Sequence, residues 1–222
     1  MRIRRILTHL LDGQFICQTT EPTLFTALQS ETTHDIVNTT LSTLGYELRG
    51  TLQPAPEEEQ EISGMAYYAA YADYDDKQDQ QKILKQCQDL RDQVSPIMDF
   101  ILLLMRTQGK DGVFLEGDTL RFSELLSAIE NESTYQAELK TISHYPLFNN
   151  RKVEKNHDRL NMVLTTLEKE GYITLKNKES MIYQFCGKIS HFYNTISFIL
   201  EHEDIPINED GILTDDTPEL NL

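Results

Sequence analysis

The stretch that most constrains the fold runs from Lys152 to Cys186. Across 152–170, Val153, Leu160, Val163, Leu164 and Leu167 recur at the spacing that places them on one face of a helix. Gly171 follows at once, the residue type on which helices commonly stop. Two short runs, Tyr172–Leu175 and Met181–Cys186, then flank the polar stretch Lys176-Asn177-Lys178-Glu179-Ser180, which predicts a strand pair around a charged tip. A helix that halts on glycine and returns as a hairpin is the ending of a winged helix. The rest of the chain is therefore read for the elements that would precede it.

The N-terminal part repeats the scheme. Apolar residues at 3, 6, 7, 10 and 11 predict a short helix that Gly13 ends, and Gln14–Gln18 reads as a brief strand. Glu21-Pro22 opens a helix over Thr23–Gln29, and Asp35–Leu44 predicts another, capped by Gly45. Tyr46–Leu52 and the tyrosine-rich Gly64–Ala72 read as strands around a Pro/Glu loop at 53–61. The polar run 73–82 marks a boundary. Beyond it, a long helix over Leu84–Arg106 with a kink at Pro96 is expected, then a strand or turn at Gly112–Gly117. A helix over Phe122–Glu130 with Ser123 at its N-cap follows, then one around Tyr135–Lys140, and after the hairpin a last helix over Ile189–Glu201. The predicted fold is mostly helical α+β: tandem winged-helix domains at 1–75 and 91–202, joined by 76–90 as linker or start of a connecting helix, with an acidic tail at 203–222.

Charge narrows the function. The 222 residues hold 36 acidic and 20 basic side chains, a formal net charge of -16, which keeps the chain soluble and repels polyanions at long range. A free-standing, high-affinity DNA binder is normally basic, so DNA contact requires a local patch helped by another protein. Cys17, Cys87 and Cys186 are isolated and odd in number, which fits a reducing cytosol and neither a disulfide framework nor a zinc cluster. The basic start, Met1 to Leu7, is followed too soon by Asp12 and Gln14 for a signal segment. The most apolar stretch, Ile97–Met105, contains Asp99 and is far shorter than the roughly 20 residues of a membrane span. A cytoplasmic protein with no membrane contact is expected.

No P-loop, GxGxxG, GxSxG or HExxH pattern occurs. The histidines at 9, 34, 144, 157, 191 and 202 never lie three or four residues apart, and His157 and Asp158, adjacent in sequence, are expected on different helix faces. No catalytic residue, metal or cofactor is expected. Tyr67, Tyr68 and Tyr71 suit a protein core or a partner contact better than base stacking, having no interleaved arginines. Arg151, Lys152, Lys155 and Arg159 form the best basic patch, with pairs spaced to share a helix face, and Lys176 and Lys178 at the wing tip could join them on phosphates. Residues 203–222 carry seven acids and no lysine or arginine; Ile205, Ile207, Ile212 and Leu213 embedded there could dock into a groove on a partner.

Three segments carry a family resemblance. Residues 10–28 (LLDGQFICQTTEPTLFTAL) with 41–50 (LSTLGYELRG), residues 164–175 (LTTLEKEGYITL), and residues 198–216 (FILEHEDIPINEDGILTDD) resemble the MukE/MksE family of condensin accessory subunits. The short N-terminal part and the insert at 54–61 look more like MksE. The resemblance implies a non-catalytic, homodimerising, nucleoid-associated subunit. Its partner would be a kleisin of the MukF/MksF type and, through it, an SMC-like ATPase, with DNA touched weakly or only in the complex. The implied role is DNA loading or entrapment, for chromosome organisation and segregation or for plasmid defence. A free-standing winged-helix transcription regulator is the alternative.

Overall fold

The structure, a computed structural model, describes residues 2–51, 66–72, 77–148 and 153–202. The expected insert loop, Tyr74, the Arg151-Lys152 pair and the tail with its four candidate apolar residues lie outside them.

The first half contains α1 (Arg2–Leu11), β1 (Ile16–Cys17), α2 (Pro22–Leu28), α3 (Glu31–Ser42), β2 (Tyr46–Gly50) and β3 (Ala66–Tyr71). The order matches the expectation from sequence. The three strands form an antiparallel sheet ordered β1-β3-β2, with Cys17 opposite Ala66 and Leu48 opposite Ala69. Ile6 and Leu10 from α1, Leu24 and Leu28 from α2, and Val37 and Leu41 from α3 close over it as the first core. Thr51, itself buried, clamps the base of the β2–β3 hairpin. Its N–H donates to the Ala66 carbonyl at 2.8 Å and its hydroxyl oxygen accepts the Ala66 N–H at 2.8 Å.

The second half contains α4 (Lys77–Gln108), β4 (Thr119–Arg121), α5 (Phe122–Asn131), α6 (Ser133–Ile142), a 3-10 turn at Pro146–Phe148, α7 (Asn156–Lys169), β5 (Ile173–Asn177), β6 (Ile182–Phe185) and α8 (Lys188–His202). Its sheet is ordered β4-β6-β5, again antiparallel, with Leu120 and Leu175 both opposite Tyr183. Ile97, Ile101 and Leu104 of α4, Leu125 and Ile129 of α5, and Leu160, Val163 and Leu164 of α7 make the larger second core. The architecture is mostly helical α+β, with two small antiparallel sheets.

Several elements differ from the sequence expectation, for identifiable reasons. Of the strand or turn expected at 112–117, the turn is what forms, and a strand follows at 119–121. Positive-φ glycines at 112 and 117 bracket the earlier stretch, and the Asp118 carboxylate accepts the Leu115 N–H at 2.8 Å, holding a turn. Ser123 is inside α5 and not its N-cap; Arg121 takes that position in extended backbone. The helix of α7 starts at Asn156, because Lys155 is extended (φ -85, ψ 141). Gly171 does end that helix as expected, at φ 81, a backbone region open to glycine at no steric cost. Asp99, the acid inside the apolar α4 run, accepts the Tyr145 hydroxyl at 2.6 Å, which pushes the Tyr145 pKa up to about 12.

The contrast between the buried second core and the exposed start of α4 is testable. Leu164→Ala in the second core should cost about 2–5 kcal/mol in urea denaturation, since Leu164 is fully buried. Leu84→Ala, on the exposed start of α4, should stay within about 0.5 kcal/mol.

Candidate functional site

Two surfaces bring together side chains with chemistry: a seam joining the halves, and one end of the second half.

The seam forms where β1 and β3 meet the chain after β6. Cys17, Ala66 and Cys186 make a small buried cluster, with Phe15 packed against it. Gly187 is required by proximity. A Cβ there would lie 2.5 Å from the Ala66 Cβ and 3.0 Å from the Cys17 Cβ, closer than such atoms approach. The Gly187 N–H donates to the Cys17 sulfur at 3.3 Å. Thr19 is held from both sides by the second half: its N–H donates to Glu116 Oε1 at 2.9 Å, and its carbonyl accepts the Lys176 ammonium. The other Glu116 oxygen is buried with no hydrogen-bond partner among the described residues. Phe15, Tyr68 and His191 stack beside this, with ring centroids 4.7–5.3 Å apart.

This environment sets protonation. Burial pushes the Cys17 thiol up, and the Glu116 charge adds to it. Burial, then Cys17 and Glu116, push Cys186 up to about 12. Both cysteines therefore remain thiols at neutral pH, while Cys87 is exposed. Burial, then the nearby Lys188 charge, hold His191 below its ordinary value. Lys188 is also lowered by burial; its ammonium donates to the Glu170 carbonyl at 2.7 Å and lies 4.6 Å from the Tyr172 ring centre, tying the start of α8 to the end of α7.

The sequence candidates distribute as follows. Tyr67 is buried in the first core against Phe25, Tyr68 is in the seam, and Tyr71 packs on Tyr46 with Lys82 5.6 Å above its ring. Lys176 lies within β5, not at the hairpin tip, and its ammonium is engaged at Thr19. Lys155 and Lys178 are exposed. Arg159 donates to Asn156 Oδ1 at 3.2 Å, and its Nε is buried without a partner among the described residues. With α7 starting at Asn156, the helical spacing invoked for 151 and 152 against Lys155 does not apply. His157 and Asp158 do meet, Nδ1 to Oδ1 at 3.0 Å, contrary to the expectation from helix faces; both are more than half exposed, where such a pair contributes little.

The starts of α5 and α7 and the β5–β6 tip come together at one end of the second half. The His157 ring lies 5.0 Å from Phe122, which joins the first turn of α7 to the start of α5. A shallow groove of about 320 Å³ runs between Arg121–Ser123 and Glu179–Ile182, bringing the hairpin tip alongside. Arg121 lines that groove with Glu179 and pairs with Glu124 at 3.7 Å, while exposed Lys178 adjoins Glu179 in sequence and exposed Lys155 lies two residues before His157. Arg121 was not singled out from the sequence, because only the β4–β6 pairing places it there. Among the described residues no three His, Cys, Asp or Glu side chains are grouped to hold a metal ion, and no helix is long and apolar enough to cross a membrane.

Each half has its own core and its own three-stranded antiparallel sheet, and the two meet at a buried seam. The profile of the family described as "Condensin complex protein MksE" matches residues 2–197, and the chain belongs to that family. It is a condensin complex subunit. No curated protein matches it.

Gly187→Ala should weaken the seam by about 1–3 kcal/mol. It should also raise the rates at which Cys17 and Cys186 react with a thiol reagent, while exposed Cys87 reacts equally in both proteins. The His191 shift sets a pH window. A histidine held below its unfolded value favours the fold above about pH 6.5 and loses that contribution as pH falls through the folded-state value. The stability lost between pH ~7.5 and ~5.5 should therefore be smaller in His191→Phe, measured by urea denaturation at each pH.

Proposed function

We propose that this chain is a non-catalytic accessory subunit that binds a kleisin of the MukF/MksF type. Through that kleisin it joins an SMC-like ATPase that loads or entraps DNA on the nucleoid. The match to the MksE family over residues 2–197 carries this reading. Each half is read as a winged helix, and the seam holds the two at a fixed angle, so that a kleisin segment bound by one is positioned relative to the other. The subunit pairs with a second copy. It works in the cytoplasm, in chromosome organisation and segregation or in plasmid defence.

DNA is touched only within the assembly. The net charge of -16 opposes free binding, while Arg121, Lys155 and Lys178 offer a few phosphate contacts once other subunits hold DNA close. Arg159 and the Arg151-Lys152 pair extend the same edge in sequence.

A native pull-down of the tagged protein should recover a kleisin and an SMC-like ATPase in stoichiometric amounts. Recovery of the protein with one enriched DNA sequence and no such partners would sink the proposal in favour of a transcription regulator. In the assembled complex, Lys155→Glu with Lys178→Glu should weaken DNA binding and reduce the slope of log affinity against log salt by about 2. An unchanged slope would remove the DNA contact and leave the partner claim standing.

A further inference from the structure

The first half has an open groove of about 860 Å³ between the starts of α1, α2 and α3. Its apolar lining comes from Ile3, Pro22 and Ala27, and Ile3 and Ala27 are also packed on the first core. Arg2 lies on its rim. Residues 1–51 contain four lysines and arginines, and Arg2, Arg4 and Arg5 are three of them. Arg5 pairs with Glu21 at 3.4 Å, whereas Arg2 and Arg4 are exposed and form no ion pair among the described residues. Ser30, another lining residue, is the N-cap of α3 and makes no side-chain capping bond, so the first amides of that helix add positive character. An apolar floor under a cationic rim suits an extended segment in which carboxylates alternate with aliphatic side chains.

Such a segment exists in this chain. Residues 203–222 carry seven acids, no lysine or arginine, and pairs such as Asp204-Ile205 and Leu213 followed by Asp215-Asp216. It can reach. α8 leaves the seam at Gly187 and extends about 22 Å to His202, and α1 extends about 15 Å from its end near Phe15 to Arg2, at 1.5 Å per residue. Phe15 lies against His191 of α8, so both helices depart from one point. Twenty further residues span up to roughly 66 Å, more than the gap demands.

We propose that the acidic C-terminal segment, residues 203–222, docks in the α1–α2–α3 groove of its own chain, with its carboxylates on Arg2 at the groove and on Arg4 beyond its rim and its aliphatic side chains from Ile212 onward on the apolar floor. A partner segment of similar chemistry must displace it, which makes the tail a built-in competitor. The inference uses no feature of the kleisin reading, and either can fail without the other.

The test uses the full-length protein with Leu213, eleven residues past His202, replaced by p-benzoylphenylalanine. Irradiation at low salt should give crosslinks at monomer mass that map to residues 2–5 and 22–33. Arg2→Glu with Arg4→Glu should lower their yield about fivefold, as expected for two exposed charge pairs. Because that variant alters a helix end, a second one leaves the described fold intact: Glu209→Gln, Asp210→Asn, Asp215→Asn and Asp216→Asn should reduce the yield similarly. Lys155→Glu should leave it unchanged. Crosslinks mapping elsewhere, no crosslinks, or yields indifferent to both sets of substitutions would overturn the proposal. Crosslinks confined to dimer mass would also overturn it, making a second copy the occupant.

Discussion

The structure depends on one close approach. At Gly187 the backbone of the second half comes so near Ala66 and Cys17 of the first that no side chain fits between them. Everything else in the seam follows from that distance. The Gly187 N–H finds the Cys17 sulfur, Glu116 and Lys176 reach the two backbone groups of Thr19, and His191 packs against both Phe15 and Tyr68. Separating the halves would expose the cluster and strip Thr19 of both partners, and a buried polar group left unpaired costs about 1–3 kcal/mol. The halves therefore behave as one body, although each has its own core.

On the proposed function that coupling matters, because a subunit that positions its partners acts by geometry. Two domains on a loose linker could each bind a segment but would not fix the path between them, whereas a shared seam does. The polar content of the seam contributes specificity of fit. Glu116 and Lys176 bring opposite charges to the N–H and carbonyl of one residue, so a shifted docking would leave a carboxylate or an ammonium facing apolar surface. The neutral groups reinforce this: two thiols and an imidazole, all held uncharged by burial, can sit in the contact without demanding counter-ions.

The element order was legible in the sequence because each helix carries a periodic apolar face and each ends at a recognisable stop, as at Gly45 and Gly171. The hairpins were legible from runs such as Tyr-Ile-Thr-Leu. What was not legible depends on long-range pairing. β4 is three residues long and is defined by its partner β6, so Val113 to Leu115, with equal local strand character, could not be told from Leu120. The start of α7 shifted because Lys155 is a good helix former locally but is held extended. The seam was invisible for a similar reason. Cys17 and Cys186 are 169 residues apart, each an unremarkable small apolar residue, and Gly187 looks like an ordinary turn glycine until Ala66 is placed against it. Family resemblance supplied the functional class, while Arg121 came into view only through the β4–β6 pairing that sets it on the groove beside Glu179.

The distribution of cations gives the acidity of the chain a mechanical meaning. A formal charge of -16 spread evenly would repel every polyanion and every acidic partner alike. Here Arg2, Arg4 and Arg5 set three cations at the start of α1, while Lys176 and Lys188 are engaged internally. Screening limits the reach of the overall repulsion to about 8–10 Å at physiological salt. A polyanion must therefore be brought that close by other subunits before the local cations can act. On the proposed function, contact with DNA is then conditional on assembly. A subunit that adds two or three phosphate contacts only after capture can stabilise a closed state without itself holding DNA between cycles.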